Sequence, residues 1–257
     1  MSPKSTSRKS ASRTSTPRGI SKTRMIAFVK ALDWRAVKEA LDGHRELLDY
    51  RGPKGQNLLH LCCGIEVKAR KLRPDLSIRT AGVLLDAGLD INQEAFREGT
   101  WKATPLWYAI GRGKNLELAA YLLKRGADPE HCMWAAAFND DPAAVRLLVK
   151  AGAEVDPAGE ETPLLFAVKW SQFDAARELL ESGADPDFQD KHHKTALHYM
   201  LKKRSDARYV RMFLEHGARI DVPDEAGVTA AGMLGRSRDA GYQELFKRYA
   251  GKEGDQP

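Results

Sequence analysis

The chain has no carboxylate before Asp33, only three cysteines in 257 residues, and no long apolar run. Each absence excludes something. Without a stretch near the ~20 apolar residues that cross a bilayer, no transmembrane helix is expected. No apolar segment follows the N-terminal charges, so no secretory signal is expected and the chain reads as cytoplasmic. Cys62, Cys63 and Cys132 cannot all pair, and an odd set without an export signal fits a reducing compartment. No two cysteines stand at the C-x2-C spacing of zinc frameworks, so His60, Cys62, Cys63, His131 and Cys132 do not read as a metal site. Gly-x-Ser-x-Gly and His-Glu-x-x-His are missing as well. Gly111-Arg112-Gly113-Lys114 resembles a phosphate loop only in outline, because the positions that need Gly and Ser or Thr hold Tyr108 and Asn115. No enzyme activity, cofactor or metal is expected.

The late first carboxylate makes the net charge of +6 a local property. Eight of the 41 basic residues, Lys4, Arg8, Lys9, Arg13, Arg18, Lys22, Arg24 and Lys30, precede Asp33, which leaves 33 basic against 35 acidic residues. A body so close to neutral argues against a nucleic-acid binder along its whole length. The first twenty or so residues are Ser, Thr, Lys, Arg and Pro, and bury too little apolar surface to offset their ordering entropy. The expected organisation is a disordered basic leader over 1–22, a folded body over 23–250 and a flexible tail over 251–257.

What the body does contain is repetition. Leu84-Leu85-Asp86-Ala87-Gly88, Leu122-Leu123-Lys124-Arg125-Gly126, Leu179-Leu180-Glu181-Ser182-Gly183 and Phe213-Leu214-Glu215-His216-Gly217 are copies of one phrase, with a looser copy ending at Gly152. The turn glycines lie 38, 26, 31 and 34 residues apart. A period of about thirty-three residues predicts a solenoid. Upstream of the apolar pairs stand Asn57-Leu58-Leu59-His60, Thr104-Pro105-Leu106, Thr162-Pro163-Leu164 and Thr195-Ala196-Leu197-His198, with a degenerate Thr229-Ala230-Ala231 at the end. Thr caps a helix N-terminus, Pro fits the next position, and the later Gly takes a left-handed turn.

Thr-Pro-Leu-x-x-Ala followed by Leu-Leu-x-x-Gly-Ala-Asp resembles the ankyrin repeat, most closely over 162–186. The resemblance covers roughly residues 25 to 250. It implies an all-α repeat fold: an ankyrin-type α-solenoid of about seven helix-turn-helix units with β-turn fingers, capped at both ends. It also implies that His60 and His198 brace neighbouring fingers and that Cys62 replaces a small Ala. Three units depart from the pattern. The second has extra residues around Val67–Pro74, the third has a long finger from Gln93 to Ala103 with Phe96 and Trp101, and the fourth has almost no finger. Asp128, Asp156, Asp185 and Asp221 recur at one loop position and read as structural.

In such arrays the finger tips and the exposed side of the first helices form a concave face. Laid on that pattern, the sequence places there Trp101, Lys102, Arg112, Phe138, Lys169, Trp170, Lys191, His192, Lys194, Lys202 and Lys203. Aromatic and basic side chains together suit a protein partner with an acidic, partly apolar surface. The expected function is non-enzymatic protein–protein binding by a monomer acting as adaptor, scaffold or inhibitor. Two alternatives rest on the leader: a phosphate-binding arm for nucleic acid, or the address of an organelle-targeted or translocated bacterial protein. The basic run Lys68–Arg73 reads as a solvated loop or an anion contact.

Overall fold

Side-chain caps open most of the helices. The Thr104 hydroxyl accepts the Trp107 amide N–H at 3.3 Å, Thr162 accepts that of Leu165 at 3.2 Å, and Thr229 that of Gly232 at 3.1 Å. Pro105 and Pro163 occupy the first helical position, where no backbone acceptor is lost. Asp33, Asn115, Asp141 and Asp239 cap second helices in the same way. Beyond five of the seven second helices, Gly88, Gly126, Gly152, Gly183 and Gly217 hold φ between 88° and 105°, where a β-carbon would be strained.

The structure, a computed structural model, describes residues 19–95, 97–98 and 101–250, with 97–98 and 101–102 described by backbone alone. Fourteen α-helices form seven pairs among these residues: α1 (Lys22–Ala31) with α2 (Trp34–Gly43), α3 (Leu58–Cys63) with α4 (Pro74–Asp86), α5 (Pro105–Gly111) with α6 (Leu116–Lys124) and α7 (Met133–Phe138) with α8 (Pro142–Lys150). The remaining pairs are α9 (Pro163–Trp170) with α10 (Phe173–Glu181), α11 (Ala196–Lys202) with α12 (Ala207–Glu215) and α13 (Ala230–Arg236) with α14 (Ala240–Tyr249). First helices stack on first helices in chain order, and second helices on second helices. Each unit therefore buries its apolar stripe only against its neighbours, as in a solenoid. The leading residue of every repeated apolar pair, Leu84, Leu122, Leu148, Leu179 and Phe213, has no exposed surface.

The three irregular units carry their differences in the connections. Residues 64–73 separate α3 from α4, and Arg70 Nη1 donates to the Lys30 carbonyl at 3.3 Å, laying the insertion against the end of α1. The long third finger contains the antiparallel pair β1 (Arg97–Glu98) and β2 (Trp101–Lys102), with Glu98 opposite Trp101 and Arg97 opposite Lys102. In the fourth unit only a short loop joins Gly126 to Met133, and His131 takes φ 60° within it. Gly113 lies in the turn between α5 and α6, and a β-carbon there would stand 2.3 Å from the Cys63 carbonyl oxygen. The segment that resembled a phosphate loop is thus a packed inter-helix turn.

Histidine braces join fingers to helices. His60 Nδ1 accepts the Asn57 amide N–H at 3.2 Å, which leaves Nε2–H to donate to the carbonyls of Gln93 and Ala103 at 2.9 and 3.2 Å. His198 repeats the device, accepting from Thr195 N–H at 3.1 Å and donating to the Val228 carbonyl at 3.0 Å. Burial lowers the pKa of His60 to about 4, so the brace is a neutral imidazole. The helical array begins at Lys22, with Ser21 Oγ accepting the Arg24 N–H at 3.3 Å. Most of the expected leader, residues 1–18, lies outside the described residues, as do the expected tail 251–257, Phe96, and the side chains of Trp101 and Lys102.

Candidate functional site

Among the described residues, two large hydrophobic side chains stand out in solvent: Phe138 is 54% exposed and Trp170 is 59% exposed. They come from the C-terminal ends of adjacent first helices, α7 and α9, and they meet. Their ring centroids are 6.3 Å apart, and Phe166 completes a triangle at 6.5 Å from Phe138 and 6.1 Å from Trp170. The helical spacing explains it, since Phe166 and Trp170 are four residues apart and share one side of α9. Trp134 stands four residues before Phe138 on α7, half-buried and stacked with His131 at 6.3 Å. The sequence reading placed Phe138 and Trp170 on this face and missed Phe166, although its spacing from Trp170 was the available signal.

Next to Trp170, Lys169 behaves in the opposite way. Its Nζ lies 2.8 Å from Glu161 Oε1 and 3.3 Å from Asp190 Oδ2, and 4.6 Å from the centre of the Tyr199 ring. Asp190 also accepts the Tyr199 hydroxyl and the amides of His192 and Lys194 at 2.9 and 3.1 Å. Burial pushes the Asp190 carboxyl up, but the hydrogen bonds from Tyr199, the two amides and Lys169 outweigh it and hold it at about 2. Burial lowers the Lys169 pKa, but Glu161 foremost, with Tyr199 and Asp190, outweighs it and raises the value above the ordinary one. This network fastens the sixth finger to α9 and α11.

The other proposed contact residues divide between these two patterns. Lys203 Nζ donates to the carbonyl of Lys169, so it caps the end of α9 from the next unit. Asn139 does the same for α5, donating to the carbonyls of Ile110 and Gly111 at 3.0 and 3.1 Å, and Gln172 donates to Phe138 at 3.0 Å. His192 meets Glu225 of the seventh finger at 3.2 Å, and Lys194 is half-buried behind it. Arg112, Lys191 and Lys202 are exposed, with the Arg112 guanidinium 5.4 Å from the Tyr108 ring. Trp101 and Lys102 are placed only as backbone, on β2.

Where the fourth finger is missing, a cleft of about 190 Å³ opens among His131, Met133, Trp134, Glu154 and Pro157. The three cysteines are free and buried, and burial pushes the Cys62 and Cys132 thiols up to about 12, so none is a ready thiolate. Among the described residues, no group of His, Cys, Asp or Glu is placed to hold a metal ion, and no helix is long and apolar enough to cross a membrane. Asp156 accepts the Asp185 amide at 2.6 Å and Asp187 that of Arg219 at 2.9 Å, which ties these recurrent loops to one another.

Residues 132–231 match a model of three ankyrin repeats and residues 101–133 a single ankyrin repeat, together about half of the chain. Inversin of Gallus gallus is 26% identical over 126 residues, 48% of this chain and 11% of that protein. An ankyrin repeat-containing protein of Treponema pallidum (strain Nichols) is 30% identical over 159 residues, 62% of this chain and 43% of that one. The chain thus matches less than half the length of either relative. Among solved structures, the human ASB11 ankyrin repeat domain superposes with a TM-score of 0.68 at 20% identity, covering 91% of this chain and 99% of that one. The Bcl-3 ankyrin repeat domain gives 0.70 at 20% identity, with 87% and 97% covered. Capped helix pairs, left-handed glycine turns, the stacked array and these matches agree: the chain belongs to the ankyrin repeat family.

Proposed function

We propose that the protein binds another protein, without chemically transforming it, through the open side of its first helices at units four and five. The observation that carries this reading is the cluster of Phe138, Phe166 and Trp170, with two of its three side chains more than half exposed. Rings held against one another on rigid helices lose little freedom on docking, and buried aromatics dominate the energetics of protein interfaces. Exposed Arg112 before the cluster and Lys202 after it favour a partner whose surface is acidic around an apolar centre.

Affinity capture from a native lysate tests this, using the wild-type chain, a chain lacking residues 1–18 and the Phe138→Ala/Trp170→Ala variant. A discrete protein held at high salt by the first two and lost by the third is the expected result. Equal recovery with the double variant would sink the reading. Recovery of nucleic acid alone, dependent on residues 1–18 and lost in salt, would move the function to the basic leader.

A further inference from the structure

A second surface lies on the first two units, and its chemistry differs from that of the aromatic face. Residues 30–35 and 64–79 contain seven cations, Lys30, Arg35, Lys68, Arg70, Lys71, Arg73 and Arg79, against three carboxylates, Asp33, Glu66 and Asp75. All seven cations are exposed. A chain of contacts gathers them. Arg70 donates to the Lys30 carbonyl at 3.3 Å, and the insertion that carries Lys68 and Lys71 is thereby laid beside the end of α1. Trp34, four residues beyond Lys30, carries the Arg35 guanidinium 4.6 Å and the Arg79 guanidinium 5.7 Å from its ring centre. Arg79 and Arg73 share the single carboxylate of Asp75, at 3.1 and 2.9 Å. Among the described residues, no carboxylate lies within ion-pair distance of Lys30, Arg35, Lys68, Arg70 or Lys71.

We propose that this patch, built by the insertion between α3 and α4 on the end of α1 and around Trp34, binds the phosphate backbone of nucleic acid. Four of the seven cations are arginines, whose planar guanidinium forks match phosphate oxygens two at a time. The indole of Trp34 holds two of those guanidiniums in place before any ligand arrives, which lowers the ordering cost of binding. A membrane surface fits less well, because the two exposed large hydrophobic side chains among the described residues, Phe138 and Trp170, lie on the aromatic face of units four and five.

The test is fluorescence anisotropy of labelled 20-nucleotide single-stranded RNA, and of a DNA duplex of equal length, with the full chain over a series of salt concentrations. Lys68→Glu with Lys71→Glu reverses two exposed charges whose side chains make no hydrogen bond or ion pair among the described residues. We expect it to weaken oligonucleotide binding about tenfold or more at 0.1 M salt and to lower the salt slope by about 2, with an unchanged melting curve. Arg35→Lys with Arg79→Lys keeps every charge but removes the flat guanidiniums, and should weaken binding about threefold. Three outcomes overturn the proposal. The reversed chain binds as wild type does; or the chain binds phosphatidylserine vesicles and neither oligonucleotide; or neutralising Arg8, Lys9 and Arg13 to serine abolishes binding while charge reversal at the patch changes nothing.

Discussion

Lys169 and Trp170 are neighbours in α9, and the molecule uses them in opposite ways. Lys169 is enclosed by Glu161, Asp190 and Tyr199, so its charge holds two units together. Trp170 has 59% of its surface in water and leans on two other aromatic rings. Besides their apolar stacking, the joints between units are fastened by polar groups that have found partners in the next repeat. The open face consists of apolar groups that have found only each other. A side chain's place on the repeat therefore does not decide whether it is free to meet a partner; its neighbours in the adjoining unit do.

The joints can be broken with acid, and they should fail in separate windows. His60 titrates near 4 in the folded chain against 6.5 as a free side chain, because burial disfavours the imidazolium. With the folded value below the unfolded one, its contribution is complete above pH 6.5 and is lost as the pH falls to about 4. That shift corresponds to about 3 kcal/mol. Urea unfolding of wild type and His60→Leu should show a stability gap that narrows by that amount between pH 7 and pH 4. Parallel curves would mean that the second and third units are not joined by a neutral histidine.

Asp190 gives the next largest effect, at lower pH. Its carboxyl is held at about 2 against an ordinary value of 3.8, so its contribution is complete above 3.8 and is lost as the pH falls to about 2. The difference is about 2 kcal/mol, and Asp190→Asn should lose that much at pH 7. Its deficit should close only below pH 4. A deficit that closes already at pH 5 would show that another group controls this joint.

The open face should answer binding assays and ignore stability assays. Trp170→Ala with Phe138→Ala is expected to weaken partner binding by about 2 kcal/mol, about thirtyfold. Its unfolding midpoint should stay close to that of wild type, since both side chains are already largely in water. Lys169→Ala should do the reverse, losing about 1 kcal/mol of stability through its two carboxylate contacts. If Trp170→Ala unfolds the chain and Lys169→Ala abolishes binding, the contrast drawn between the two residues is wrong.

The sequence makes the fold legible because the features that define it are local. A Thr cap, the Pro after it and the Gly that ends the second helix act within a single unit, so seven units can be counted from one chain. Phe138 and Trp170 are legible for a related reason, since an aromatic at a helix end has little core left to enter. The joints are not legible in this way. Lys169 depends on Glu161 eight residues before it and on Asp190 twenty-one residues after it, and Lys203 reaches back to α9 from the following unit. The basic patch needed the contact between Arg70 and Lys30, forty residues apart, to become one surface.

The smallest predicted effect lies directly after Trp170. Ser171 ends α9 with φ 61° and ψ 33°, a left-handed conformation that disfavours any side chain with a β-carbon. Asp140 holds the same place between α7 and α8 at φ 51°, yet its carboxylate accepts the Ala175 amide from the next unit at 2.7 Å. Ser171→Gly removes backbone strain, and gains about 0.5 kcal/mol after the added freedom of the unfolded chain is subtracted. Asp140→Gly relieves the same strain but leaves the Ala175 amide without its acceptor, so it should lose about 1 kcal/mol. Opposite signs at two equivalent turns, measured by chemical denaturation, would place the difference in the contact between units. Equal gains at both would mean that Asp140 takes no part in joining them.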